Sequence, residues 1–250
     1  MRHGLFVVIL LLLTGATDAR ELFWRELAVE GRLRNEGDLR VSERHVMVFT
    51  GDWNGGERLF RVEPHQTLTI HGVSRTDSAG VTHPLRQGNL DTVDHYELLD
   101  GRRLRWRARD PGSPEFDNAE LVYTIDYTLG RILVPSLTGG DANYRLNHDF
   151  AFPDREGVIE QFSLELELAP GWQTPEESKL RQSAKNLVPG EGFVVDLPLQ
   201  FSGSSPPETM GRIAAVSGLL QSWIVLLVMI LALGFFFFRQ WRQKEVLPID

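Results

Sequence analysis

Residues 219–238 read LLQSWIVLLVMILALGFFFF, twenty positions without a single charge. No other stretch constrains this chain as strongly. About 20 apolar residues at a helical rise match the hydrocarbon thickness of a bilayer. Most are Leu, Ile, Val or Phe, each favouring insertion by roughly 0.3–0.6 kcal/mol near a helix centre, so the run is expected to cross a membrane. Trp223 and Trp241 stand at its ends, where amphipathic rings prefer the interface. Arg239, Arg242 and Lys244 follow it, against a lone Arg212 before it, an asymmetry that places the C-terminal tail in the cytoplasm and the preceding residues outside.

The N-terminus agrees. Arg2 and His3 precede an apolar core, Leu5 to Leu13, too short to span a bilayer but right for a signal peptide, and small residues follow. Cleavage after Ala19 or after Ala16 both satisfy the small-x-small rule, and an uncleaved anchor stays open beside them. The expected order is a signal peptide (1–19), an exported domain (20–201), a stalk (202–217), a transmembrane helix (218–238) and a short cytoplasmic tail (239–250). The localisation that follows is a cell membrane, single-pass, with the N-terminal domain exterior.

The chain has no cysteine, so disulfides, thiol nucleophiles and thiolate metal sites are excluded and the exported domain must be held by its core alone. No Asn-x-Ser/Thr sequon occurs either, and the two absences together lean towards a bacterial envelope. The formal charge of −8 disfavours a nucleic-acid partner.

Within 20–201 the apolar residues alternate at period two. Asn35, Glu36 and Gly37 read as a three-residue hairpin loop that pairs Leu33 with Leu39 and Gly31 with Val41, placing Leu27, Val29, Leu33, Leu39 and Val41 on one face. Beyond Ser42 the parity of the apolar residues changes to Val46 and Val48, which predicts a β-bulge near residues 43–45. Leu121, Tyr123, Ile125, Tyr127 and Leu129 make the cleanest half-buried strand, and Phe162, Leu164, Leu166 and Leu168 repeat the pattern. The glycine-rich loop around Trp53 lacks the Lys-Ser/Thr ending of a phosphate loop and reads as a turn with a packed indole. Thr174-Pro175-Glu176-Glu177 is a capping box with proline at the first helical position, predicting a short helix to about Lys185. Some eight to eleven short strands separated by turns give a mainly β fold, an antiparallel β-sandwich exterior domain.

Arg103, Arg105, Arg107 and Arg109 alternate with Leu104, Trp106 and Ala108, a strand with one apolar and one basic face. A loop of Leu99, Asp100 and Gly101 pairs Tyr96 with Leu104 and Glu97 with Arg103 and keeps both faces consistent. The four arginines are the candidate binding surface, suited to an anionic polymer or to lipid headgroups. A solvated face balanced by neighbouring carboxylates is the plainer reading of the same stripe.

The exported start, the Gly37-Asp38-Leu39-Arg40-Val41-Ser42-Glu43 hairpin, the Trp53 loop leading to Arg61 and the Tyr123-Thr124-Ile125-Asp126-Tyr127 strand together resemble the domain-of-unknown-function 2207 family of bacterial membrane proteins. The resemblance spans roughly residues 23–172. It implies an exported β-rich domain tethered to a bacterial envelope, without an established activity, and supplies no catalytic residues.

No Gly-x-Ser-x-Gly elbow and no His-Glu-x-x-His helix is present, so no catalytic residue is named. His45, His65, His71, His83, His95 and His148 are scattered without ligand spacing, and neither a metal nor another cofactor is expected. The sequence thus points to a membrane-anchored envelope protein whose exterior domain binds or scaffolds another envelope protein or an anionic polymer. Assembly into a membrane complex through the helix is the alternative, and an envelope hydrolase a further one.

Overall fold

The computed structural model describes residues 20–136, 143–204, 207, 225–231 and 233. The signal segment, the tail, most of the stalk and most of the 218–238 run lie outside the described residues. Residues 225–231 and 233 are helical with exposed apolar side chains, and among the described residues no helix is long and apolar enough to cross a membrane.

The rest is a mainly β domain. In chain order its strands are β1 (Glu21–Leu33), β2 (Leu39–Gly51), β3 (Gly55–Leu59), β4 (Thr67–Thr76), β5 (Thr82–Pro84), β6 (Arg86–Gln87), β7 (His95–Leu99) and β8 (Arg103–Arg107). They continue as β9 (Phe116–Gly130), β10 (Leu133–Pro135), β11 (Asn143–Asp149), β12 (Ile159–Leu168), β13 (Trp172–Gln173), β14 (Arg181–Leu187) and β15 (Val194–Phe201). A seven-stranded sheet in the order β14-β12-β1-β2-β9-β4-β5 packs one face on two four-stranded sheets, β10-β11-β15-β13 and β3-β8-β7-β6. Ring pairs join the layers: Trp106 with Tyr123 at 5.2 Å, Phe60 with Tyr127 at 4.9 Å, and Phe162 with Phe193 at 4.6 Å between centroids. Each such side chain contributes about 1.5–3 kcal/mol by leaving water.

The hairpin forms in the expected register, Leu33↔Leu39 and Gly31↔Val41, with Gly37 at φ 88°. Four other expectations are corrected. β2 has no bulge at residues 43–45; its register with β1 is continuous from Leu39 to Val46, and the irregularity lies on β1 between Trp24 and Glu26. The core face of β2 therefore runs on through Glu43, His45, Met47 and Phe49, all fully buried, while Val46 and Val48 are covered on the opposite face.

The β7–β8 loop has the expected three residues, with Asp100 and Gly101 at φ 50° and 66°, but it is Asp100, Gly101 and Arg102 rather than Leu99, Asp100 and Gly101, so Leu99 faces Arg103 and Tyr96 faces Trp106. Arg102 is held in the loop on both sides: its N–H donates to the Leu99 carbonyl at 3.1 Å and its carbonyl accepts the Phe60 N–H at 2.8 Å. The predicted helix is one 3-10 turn, Glu177–Leu180, without a side-chain cap, because residues 181–187 instead hydrogen-bond along β12 and cover its edge. The large sheet, finally, is not wholly antiparallel: β1 and β12 run parallel, Leu27 opposite Phe162 and Leu33 opposite Leu168.

Candidate functional site: an arginine-rimmed groove over a buried ion cluster

The site is built on β3 and β8. Gly56 faces Trp106, and a Cβ there would meet the indole at 2.2 Å; one on Gly55 would meet the Trp106 carbonyl oxygen at 1.8 Å. Glycines at both positions are thus what lets the strands close with Trp106 between them. Trp53 of the same loop is packed, donating from Nε1 to the Glu21 carbonyl at 2.8 Å, while the Arg20 guanidinium lies 3.8 Å above its ring.

With Trp106 and Leu104 turned inward, Arg103, Arg105 and Arg107 turn outward and line a groove of about 500 Å³. Its rim also carries Arg20 and Arg155, five arginines against the three carboxylates Glu57, Asp154 and Glu156. Glu57 is shared by Arg103 and Arg105, each at 3.4 Å, and Asp154 is held by a two-point contact from Arg61 at 3.0 and 3.1 Å. The hydrogen bonds from Arg61 hold the Asp154 carboxyl below the usual range. Arg155 is buried, has no carboxylate partner among the described residues, and donates to backbone carbonyls, among them Ala151, Glu191 and Leu187. Among the described residues Arg107 has no ion pair; its Nε donates to the Arg109 carbonyl at 2.7 Å. The groove therefore keeps a surplus of positive charge on an acidic protein.

Of the four arginines singled out in the sequence, the structure brings three together. Arg109 lies past the end of β8, where its Nε and Nη1 donate to the Trp53 and Ser113 carbonyls and fasten the loop.

The inner wall of the groove, Trp24, Trp106 and Phe152, encloses a set of charges the sequence reading did not find. Glu43 is 0 % exposed and Arg58 2 %. Arg58 donates from Nε to Glu43 Oε2 at 3.0 Å and from Nη2 to Oε1 at 2.9 Å. Tyr127 donates to Oε1 at 2.7 Å. His45 accepts from Trp24 Nε1 at its Nδ1, 3.0 Å, which leaves Nε2 as the N–H that donates to Glu43 Oε2, also at 3.0 Å. The guanidinium carbon lies over the Phe60 and Phe152 rings, 4.5 and 4.2 Å from their centroids. Burial alone pushes the Glu43 carboxyl up; the Arg58 charge and the hydrogen bonds from His45 and Arg58 outweigh it and hold the group well below the usual range. Burial, then the Glu43 charge, push the Tyr127 hydroxyl far up, so it stays a donor. The signal was present in the sequence: Leu39, Val41, Met47 and Phe49 share an odd parity that Glu43 and His45 continue.

The cluster is sealed, so its carboxylate and imidazole are not offered to a substrate. None of the remaining histidines bonds Glu43 or Arg58 among the described residues. His71 bonds Thr128, His83 bonds Asp77, His95 bonds the Val93 carbonyl and His148 stacks edge-on against Phe150. Among the described residues no group of three His, Asp or Glu side chains gathers at metal-binding range. What the arrangement can do chemically is attract and hold an anion in the groove.

No family model matches the chain, and no curated protein does. Solved structures similar to it include an M1 zinc metallopeptidase from Deinococcus radiodurans, 6 % identical, with a TM-score of 0.40, over 73 % of this chain and 43 % of that one. A mutant of that peptidase bound to a Tyr-Ser-Ala substrate is similar with the same coverage and a TM-score of 0.38. The chain thus spans less than half the length of these proteins.

Proposed function

We propose that the exterior β domain is a binding module for an anionic partner, held at a membrane by the 218–238 run. The observation that carries this reading is the charge surplus of the groove: Arg103 and Arg105 share one carboxylate, Arg107 has none among the described residues, and Asp154 is neutralised from outside by Arg61. Guanidinium groups are weakly hydrated and present a fork of donors, which suits carboxylates and phosphates alike. Several half-exposed arginines around one concavity raise the local concentration of such a partner and steer its approach. The tether is supported by the length and apolarity of the run, its basic flank and the exposed apolar side chains of residues 225–231.

The test uses the full-length protein in detergent and immobilised polyphosphate as the probe. Wild type is expected to bind, with affinity falling as salt rises, because surface charges are screened over about 10 Å at 0.1 M salt. Arg103→Glu with Arg105→Glu is expected to lose binding while keeping the unfolding midpoint. Equal binding by the charge-reversed protein overturns the reading.

A further inference from the structure

Strand β3 is the edge of its sheet, and its residues Gly55, Gly56, Glu57 and Leu59 line the groove. In an antiparallel pair, alternate residues direct their N–H and C=O groups to the partner and the intervening ones direct theirs away. The Ala108 N–H donates to the Asn54 carbonyl and the Phe60 N–H to the Arg102 carbonyl, both at 2.8 Å and in the register of Gly56↔Trp106 and Arg58↔Leu104. The even-numbered residues therefore bond β8. Gly55, Glu57 and Leu59, which line the groove, turn their backbone groups away from β8. Of these groups only the Leu59 carbonyl is taken, by Arg58 Nη1 at 2.6 Å; the others make no hydrogen bond among the described residues.

Exposed edges are ordinarily blunted by lysine, proline or a bulge, and β3 carries none of these. The charge it turns inward, Arg58, is matched by Glu43 where it stands. Two glycines at its start leave the backbone unshielded. Such an edge, about 17 Å long at the strand rise, is a template for one more strand.

The side chains around it select the occupant. A strand laid beside β3 puts every second side chain on the face shared by Glu57, Arg103 and Arg105. Since Glu57 is already claimed by both arginines, carboxylates at those positions complete the charge balance. We infer that the β3 edge takes up an extended acidic polypeptide segment as an added strand, its backbone bonded to Gly55, Glu57 and Leu59 and its alternate carboxylates facing Arg103 and Arg105. This rests on the proposal that the groove binds an anion, and adds to it the chemical class and the geometry of the partner.

The test measures binding of a fluorescent octapeptide of alternating glutamate and threonine to the full-length protein in detergent, beside the same peptide N-methylated on alternate amides and beside polyphosphate. N-methylation leaves the charge intact and removes the donors an added strand needs, so it is expected to weaken binding about tenfold or more. Glu57→Ala and Glu57→Pro both remove a carboxylate from the groove, but only the proline also removes an outward N–H, at an edge where no ladder bond is lost. Strand addition predicts that Glu57→Ala tightens peptide binding and Glu57→Pro weakens it. Equal binding of the methylated and unmethylated peptides, or tightening by both substitutions, overturns strand addition and leaves the anion groove standing. Failure of both peptide and polyphosphate to bind wild type overturns the two together. Should Glu57→Pro not fold, the methylated peptide on wild type decides.

Discussion

Glu57 and Arg58 are neighbours on β3 that face opposite ways, and the two sides of this one strand show what an ion pair can and cannot do. Outward, Glu57 meets Arg103 and Arg105 at 3.4 Å with 40–51 % of each side chain exposed. Inward, Arg58 meets Glu43 through two bonds of 3.0 and 2.9 Å, and Tyr127 and His45 fill the other lone pairs. The outer contact holds three flexible side chains in high dielectric and is worth about 0–1 kcal/mol per pair. The inner one is committed: both ions have left water, and neither can lose its partner without being stranded. Charges of the first kind are free to change partners, and charges of the second kind fix the platform from which they do so.

The two sides of β3 differ most at Arg58. Arg58→Ala leaves Glu43 buried without its counter-ion and is expected to destabilise the domain by about 3–5 kcal/mol in urea unfolding followed by tryptophan fluorescence at pH 7. Replacing Glu43 and Arg58 together by methionine removes both charges and is expected to cost less than Arg58→Ala alone. If Arg58→Ala costs no more than Arg105→Ala, the buried cluster is not the commitment its geometry describes.

The two sides were unequally legible in the sequence. Outward charges alternate with apolar residues, so Arg103, Arg105 and Arg107 could be read directly from period two. Glu43 and His45 obey the same period but on the inner face, where polar residues are rare, and the apolar Val46 and Val48 of the opposite face imitate the parity change of a bulge that β2 does not have. Arg58 offered no local clue, because its partner stands fifteen residues away on another sheet. The Gly37 hairpin was legible because turn chemistry and alternation agree within a dozen residues. The parallel pairing of β1 with β12 and the use of residues 181–187 as an edge strand depend on contacts between distant segments, which no local pattern encodes.

A smaller effect separates the two sides by pH. His148 lies within reach of the Arg58 and Glu43 charges, its Nε2 buried and without a partner among the described residues, and burial, followed by the Arg58 charge, pushes its pKa down from 6.5 to about 4. Its folded value lies below its unfolded one, so between those limits the unfolded chain binds more protons and stability falls as the solution is acidified. Glu43 acts in a lower window: its depressed folded pKa contributes stability above the ordinary glutamate range, lost as pH falls below it. Wild type is expected to lose about 1–2 kcal/mol more than His148→Gln between pH 7 and pH 5, read from urea midpoints at each pH. Parallel losses in the two proteins would show that another group carries the change.

The smallest expected effect is the most discriminating one. Arg103→Ala with Arg105→Ala removes two charges whose only ionic partner among the described residues is Glu57, at 3.4 Å and half in water. Their aliphatic stems lie on the outer face of β8, while Leu104 and Trp106 between them carry the packing. Stability should therefore change by less than about 1 kcal/mol, within the range ordinary for surface substitutions. Polyphosphate binding by the same protein should fall as salt sensitivity is lost, because the released Glu57 now repels an anion that the arginines formerly attracted. A double variant that keeps its affinity would move the anion site off this strand. One that loses several kcal/mol of stability would mean that the outer arginines belong with Arg58 to the platform itself.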